Sequence, residues 1–578
     1  MKRALSLLLL PLLLLAFNNS ETPALKKYPK KYFRSPVNHS MLLSGTFGEL
    51  RPNHFHAGID IKSAKGVPGD DLFAAADGFI SRIKVDSRGY GNSLYIDHPN
   101  GYTTLYAHLD HFSEEIAAYV KAKQYEQQSF EVDLDLTPDI FPVRQGQRIG
   151  AMGNSGSSNG AHLHFEIRDT RTQDPINPLL FGFPVVDNVS PRMHSVKVYQ
   201  LDQHLHAKGA RAYSVYQSNG NYRIKGDTIY TDGDRAGFGL KVYDHFDRVS
   251  NWNGIYSLSM LKNDSLIYAF DLETFSFDET RYLNAHCDYE ERVTKNSYYN
   301  RCFTLPGNQL SIYRKNKNYG VVEVPERRPA KITMIASDVA GNEARLEFWV
   351  QRKQAYSAVA VSNELYNYIL PYDEGNMIRT EGLYLHMPAG TLYEDLYLRY
   401  DVSPERSDGY YSDVHHLHES TTPVHQFFDL GLRPTKPIPA ELKSKVFVAY
   451  CNGNSVVNCG GTWQDGLLMT KVRQFGNYCI MADTKAPTIT PLSFRYNMKG
   501  RSKMSFRIKD ETATAANVDD LSYDAWVDDQ WILMEYDKKS ASITHEFDEH
   551  IGPGEHSLKI VVRDAVGNEK VYESKFVR

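Results

Sequence analysis

The stretch Gly153-Asn-Ser-Gly-Ser-Ser-Asn-Gly-Ala-His162-Leu-His164-Phe-Glu166 sets a run of small and polar residues directly before an alternating apolar segment. Glycine, serine and asparagine clustered in this way mark a loop, and the alternation that follows marks a strand. In a strand, residues i and i+2 project to the same face. His162, His164 and Glu166 therefore share one face, and Leu163 and Phe165 point the other way, into a core. Two imidazoles on one face can share a metal ion, or one can bind it while its neighbour moves a proton.

Upstream, the same β-pattern continues in Gly78-Phe-Ile-Ser-Arg-Ile-Lys-Val85, Ser93-Leu-Tyr-Ile-Asp97 and Tyr102-Thr-Thr-Leu-Tyr106, short apolar runs broken by glycine turns. Two further histidine-bearing stretches lie among them, His54-Phe-His56-Ala-Gly58-Ile-Asp60 and Tyr106-Ala-His108-Leu109. A bend at Gly58 lets His56 and Asp60 converge. Imidazole nitrogen and carboxylate oxygen are both zinc ligands, and three protein ligands with an open fourth position define a catalytic rather than a structural site. His56, Asp60 and one of His162 and His164 meet that count.

His-x-Gly-x-Asp, Tyr-Ala-His-Leu and Gly-x-His-Leu-His-Phe-Glu, in this order, resemble the LytM/lysostaphin-type zinc metalloendopeptidases of bacterial cell walls. The resemblance covers about residues 43–184 and extends to Gly45-Thr-Phe-Gly48 and Gly146-Gln-Arg-Ile-Gly150. It implies a compact antiparallel β-sheet peptidase domain of the duplicated hybrid motif type, within a mainly β chain. It implies Zn2+ as cofactor, with His56, Asp60 and His164 as ligands. It assigns His162 as catalytic acid/base with His108 beside it, and hydrolysis of a peptide bond in peptidoglycan peptide stems as the reaction. Every candidate residue lies before Pro184, so a fragment ending there is expected to be self-sufficient.

The chain departs from that pattern at about residues 111–141. Within this insertion, 113–127 are rich in helix formers, with Glu114 and Glu115 in the first turn. A helix there is expected to form a wall or lid of the cleft. Glu166, sharing the face of His164, is expected to orient that imidazole. His54 reads as a wall residue, His98 as a turn residue, and His111 as a possible support of the second stretch. His415, His416 and His418 read as a solvated strand or loop.

Beyond 184 the chain repeats itself. Asp187-Asn-Val-Ser-Pro191 returns in kind as Asp483-Thr-Lys-Ala-Pro487, and Asp338-Val-Ala-Gly-Asn-Glu343 as Asp564-Ala-Val-Gly-Asn-Glu569. Asp and Gly-Asn suit tight turns before a terminal hairpin strand. Two immunoglobulin-like β-sandwiches are expected, over 187–353 with an insertion near 265–320 and over 484–578. Residues 355–483 form a third β-rich region of unspecified type.

The composition agrees with several packed β-domains: 578 residues, 42% hydrophobic, with 38 tyrosines. Lys2 and Arg3 precede an apolar run from Ala4 to Phe17 and a polar Asn18-Asn19-Ser20, the layout of a signal peptide over residues 1–20. The run is short for a membrane span, and no cysteine follows it for lipid attachment. The expected location is the periplasm or cell envelope, with no membrane span after signal removal. Loss of Lys2 and Arg3 takes the formal net charge from -5 to -7, which gives no electrostatic reason to bind nucleic acid. Export permits disulfides; Cys287 with Cys302, and one pair among Cys451, Cys459 and Cys479, are the expected partners. Two functions fit these features. One is an active endopeptidase whose C-terminal β-domains bind protein or glycan. The other is a non-hydrolytic regulator of another cell-wall hydrolase.

Overall fold

The computed structural model describes residues 27–353, 365–405, 407–453 and 455–578. The signal-like run lies outside the described residues. Among the described residues, no helix is long and apolar enough to cross a membrane.

The first domain is built on a nine-stranded sheet. We label its strands β1 (Leu43–Gly45), β2 (Ile59–Lys62), β3 (Gly78–Val85), β4 (Ser93–Asp97), β5 (Tyr102–Ala107), β6 (Val132–Asp135) and β7 (His162–Asp169). Their order across the sheet is β1-β2-β7-β5-β4-β3-β6, with Pro142–Val143 beside β3 and Pro175–Ile176 beside β7. The strands described here pair antiparallel. Ile59, Ile61, Leu163, Phe165 and Ile167 have no exposed surface, so β2 and β7 each commit one face to the core, and the other is left for polar chemistry. A three-stranded sheet of Asp71–Phe73, Arg148–Met152 and Leu109–Phe112 shares this core through Leu72, Ile149 and Phe112.

The insertion does form a helix, α1 (Glu114–Gln127), whose Ile116 and Val120 join the same core. On its far side the helix meets residues 548 and 550 of the last domain. Lys121 Nζ lies 2.7 Å from Asp548 Oδ2, the Tyr125 hydroxyl donates to the same carboxylate at 3.0 Å, and the Tyr125 ring stacks on His550 with centroids 4.0 Å apart. The helix is a docking surface for the last domain.

Residues 192–352 form the first C-terminal β-domain, and short helices Leu283–His286 and Tyr289–Lys295 fall within the expected insertion. Its core continues into the peptidase domain: Phe47, Phe55 and Ala57 belong to the cluster that contains Leu258, Leu272 and Phe275. Phe275 lies 5.0 Å from Phe47 and 5.4 Å from Phe55, ring centre to ring centre. The boundary near Pro184 therefore runs through a shared core, and the expectation of a self-sufficient fragment does not account for that packing.

Residues 367–483 make a five- and a six-stranded sheet around Leu385, Phe428 and Ile480. The last domain is two four-stranded sheets around Phe506, Ile560 and Phe576. In both repeats the Asp-x-x-Gly-Asn turn joins a hairpin, closing Ser337 against Glu343 and Arg563 against Glu569.

Two expectations are corrected. His415 is 2% exposed and its Nδ1 lies 2.9 Å from the Tyr400 hydroxyl, because the alternation of Val414–Leu417 turns it into the domain rather than to solvent. The cysteines are free thiols, Cys287 and Cys302 among them. Both are buried apolar side chains of the shared core. Cys451 and Cys479 approach to 3.3 Å between sulfurs on paired strands.

Candidate metal centre

The register of two strand pairs builds the site. On β7, His164 stands directly opposite Asp60 of β2 on one side and Ala107 of β5 on the other. His108 follows Ala107 at the end of β5, and His56 precedes β2 by three residues. Gly58 works by close approach rather than by a left-handed bend. A Cβ there would sit 2.4 Å from the Phe165 carbonyl oxygen, so any larger residue would force β2 away from β7.

His56 Nε2, His164 Nδ1 and Asp60 Oδ1 form a triangle. The separations are 2.9 Å between the two nitrogens and 3.0 Å from each nitrogen to the carboxylate oxygen. Two ligands at zinc distance in a tetrahedral arrangement lie about 3.3 Å apart, so this donor set fits a zinc ion. All three residues are buried.

The partners behind each candidate ligand select the atom it presents. His56 Nδ1 lies 2.8 Å from the Thr46 carbonyl oxygen. A carbonyl only accepts, so Nδ1 carries the proton and Nε2 is left with its lone pair. His164 Nε2 lies 2.7 Å from Glu166 Oε1, which likewise leaves Nδ1 as the free nitrogen. Arg51 donates to Asp60 Oδ2 at 2.6 Å, aiming Oδ1 at the histidines.

Glu166 has no exposed surface. Burial alone would raise its carboxyl, but Arg168 and His164 outweigh burial and hold it down at about 2. Arg168 Nε donates to Oε2 at 2.7 Å and the Tyr90 hydroxyl to Oε1 at 2.5 Å. The carboxylate is thus held toward its charged form and braced against the imidazole. Burial lowers His164, yet Asp60 and Glu166 on its two nitrogens reverse this and raise it to about 9. A position that favours a proton so strongly between two carboxylates also suits a cation. Glu166→Gln is expected to weaken zinc binding about 10–100-fold, read by competition with a zinc-chelating dye; unchanged affinity would show that Glu166 does not position His164.

His162 and His108 flank the triangle. His162 Nδ1 lies 2.8 Å from the Gly160 carbonyl and 3.2 Å from Ser158 Oγ, and its Nε2 is 3.5 Å from Asp60 Oδ1. His108 Nδ1 lies 2.9 Å from the Ser155 carbonyl. The two rings are 4.9 Å apart, and His108 is 5.9 Å from His164. Burial, then the neighbouring His164 and His162, hold His108 down at about 3, so it is a neutral imidazole. Its backbone is left-handed at φ 63°, an arrangement that concentrates at functional sites.

Both flanking histidines hang on one loop, 153–160. Ser155 Oγ donates to the Leu109 carbonyl at 2.8 Å and accepts from the Asn92 N–H at 3.0 Å. Lys539 of the last domain donates to the Ser158 carbonyl at 3.3 Å and to that of Asn154. None of this was legible from the three stretches, nor were Arg51 and Tyr90. Arg168 was within reach, as the next residue in the alternation of 162, 164 and 166.

The remaining candidates lie apart from the triangle. His54 is exposed, with Nδ1 2.9 Å from the Pro52 carbonyl. His98 is a buried turn residue satisfied by Asp77 and Thr104. His111 pairs with Asp110 and Arg148, not with the His108 stretch.

Residues 54–125 and 141–178 match the model of peptidase family M23, and the chain carries an M23 peptidase domain of the LytM type. Residues 367–483 match the Zu5-like domain model, which gives a type to the region left unspecified above. DD-carboxypeptidase/endopeptidase Mpg of Neisseria meningitidis serogroup B is 36% identical over 129 residues, 22% of this chain and 23% of that protein. The murein hydrolase activator NlpD of Escherichia coli is 34% identical over 124 residues, 22% of this chain and 25% of that protein. The catalytic domain of lysostaphin from Staphylococcus simulans is 20% identical at a TM-score of 0.19, covering 24% of this chain and 91% of that one. The chain spans about a quarter of the length of the curated relatives it matches.

Proposed function

We propose that the protein is a zinc-dependent metalloendopeptidase that hydrolyses peptide cross-links of peptidoglycan in the cell envelope. The observation that carries this reading is the convergence of His56 Nε2, His164 Nδ1 and Asp60 Oδ1, each selected by a hydrogen bond on its far side. These three residues would hold a zinc ion, which would supply Lewis-acid polarisation of the scissile carbonyl and a more acidic water.

His162 and His108 manage the protons. Each turns Nδ1 to a backbone carbonyl, so the neutral ring offers Nε2 as an acceptor for the proton of the attacking water. Once protonated, the same nitrogen becomes the donor that the leaving amine needs. Peptidoglycan as substrate is supported by the similarity to a DD-carboxypeptidase/endopeptidase and to an activator of murein hydrolases, and export by the signal-like N-terminus. The C-terminal β-domains are left to bind a protein or glycan partner.

The test is metal content with hydrolysis. The zinc-loaded full chain is expected to hold about one zinc and to cut cross-linked muropeptides; His56→Ala and His164→Ala should lose both. Full zinc occupancy in the double variant would refute the ligand set. The similarity to the activator NlpD favours a second reading, in which the full chain binds zinc, cuts nothing alone and stimulates another hydrolase.

A further inference from the structure

Away from the catalytic centre, three carboxylates meet at the entrance to the first C-terminal β-domain. Asp187 lies in the entry linker, Asp244 directly follows the strand Arg235–Tyr243, and Asp338 opens the turn before Glu343–Arg352. One oxygen from each lies within 4.8 Å of the others. Asp244 is 1% exposed and Asp338 3%.

Asp338 has an evident structural role. Its Oδ1 accepts from the Gly341 and Asn342 N–H groups at 2.7 and 2.9 Å, and its Oδ2 from Asn342 Nδ2 at 2.8 Å. Asn342 Nδ2 also reaches the Asp187 carbonyl at 3.3 Å, tying linker to turn. That role does not explain Asp244. Its Oδ1 is buried with no hydrogen-bond partner among the protein groups, an arrangement that costs heavily unless a cation, a proton or a bound water completes it. Asn253 stands opposite Asp244 in an isolated antiparallel bridge and is fully buried, and its side-chain oxygen and nitrogen both lack a partner among the protein groups. Opposed residues of such a pair project to the same side.

The charges nearest these groups are one another. Burial, then Asp338 and Asp247, raise Asp187 to about 6; burial, then Asp187 and Asp338, raise Asp244 to about 8.

We propose that Asp187, Asp244 and Asp338 bind a calcium ion, with Asn253 as a neutral oxygen ligand, which locks the linker from the peptidase domain onto the first β-domain. An all-oxygen set rich in carboxylates suits a hard cation and lacks the nitrogen and sulfur that zinc prefers. The last domain places Asp483, Asp510 and Asp564 in the same three positions. There Thr512 intervenes, its hydroxyl donating to Asp483 Oδ2 at 2.6 Å and its N–H to Asp510 Oδ2 at 3.2 Å. That second triad satisfies its own carboxylates and serves as the matched control.

The experiment uses the zinc-loaded full chain without chelator, titrated with calcium chloride into the millimolar range. Calorimetric uptake and thermal midpoint are the readouts. We expect about one calcium per chain with a dissociation constant of about 10⁻⁴–10⁻³ M, the range of extracellular modules. The midpoint should rise by roughly 3–6 °C at tenfold excess over that constant. Asp244→Asn, near-isosteric and relieved of repulsion, should fold and lose both responses, whereas Asp510→Asn and His56→Ala should keep them. Absence of uptake by the wild-type chain would overturn the proposal, as would calcium binding by Asp244→Asn equal to wild type. So would an Asp244→Asn variant that is more stable than a calcium-insensitive wild type, the signature of a shared proton in place of a cation.

Discussion

Replacing His162 by alanine is expected to leave the zinc content of the protein unchanged and to slow hydrolysis about 10²–10⁴-fold, the usual weight of a positioned acid/base. The geometry separates this residue from the proposed ligand on its own strand, His164. His162 sits two residues before His164, but its Nδ1 faces the Gly160 carbonyl and its Nε2 stands 3.5 Å from Asp60 Oδ1. His164 Nδ1 is within 3.0 Å of both other ligand atoms. His108→Ala should behave in the same direction, since its ring lies 4.9 Å from that of His162 and its neutral form can receive a proton. Zinc content by mass spectrometry, beside muropeptide turnover, checks both variants. Loss of zinc from His162→Ala would exchange the roles of His162 and His164.

A fragment ending at Pro184 is expected to lose stability and zinc, although it keeps every ligand. Phe47 and Phe55 are 2% and 1% exposed, and they pack into the cluster formed by residues 193–350. Uncovering both costs up to about 3–6 kcal/mol of burial, a large share of the stability of an ordinary domain. Phe55 directly precedes the ligand His56, and its N–H donates to Thr280 Oγ1 at 2.8 Å. Asn177 Nδ2 donates to the Leu272 carbonyl across the same boundary. The measurement is the thermal midpoint and zinc occupancy of fragments ending near residues 184 and 353. The longer one should retain both. Equal midpoints and equal zinc would show that the shared core contributes nothing to the site.

What could be read from the sequence follows a physical rule: local periodicity was legible, and partnership across long separations was not. His162, His164 and Glu166 declared their common face through alternation, and His56 and Asp60 through ligand chemistry. Residues 113–127 declared a helix through their composition. Its partner could not be read, because Tyr125 meets Asp548 423 positions away. Arg51 carries no local mark of its contact with Asp60, which exists only once β1 and β2 close. Alternation, applied to Val414–Leu417, turns His415 inward, against the reading of that cluster as solvated. The expected pairing of Cys287 with Cys302 fails because both pack as small apolar side chains, whereas Cys451 and Cys479, from the second expected group, do approach each other.

The repeated Asp-x-x-Gly-Asn turns were legible as hairpin closures. Their convergence with Asp187 and Asp244, or with Asp483 and Asp510, depends on how each domain returns its first and last strands to one edge. The grip of Lys539 on the loop below His162 and His108 depends on the docking of a domain almost four hundred residues away in sequence.

In the proposed function the chain itself breaks a peptide bond at the His56, Asp60 and His164 centre. Its most direct test is incubation of the zinc-loaded full chain with defined cross-linked muropeptides, followed by mass analysis of the products. One cross-link peptide bond is expected to be hydrolysed, with the gain of one water, and the reaction is expected to be lost in His164→Ala. Intact muropeptides after incubation with a folded, zinc-bound chain would contradict it.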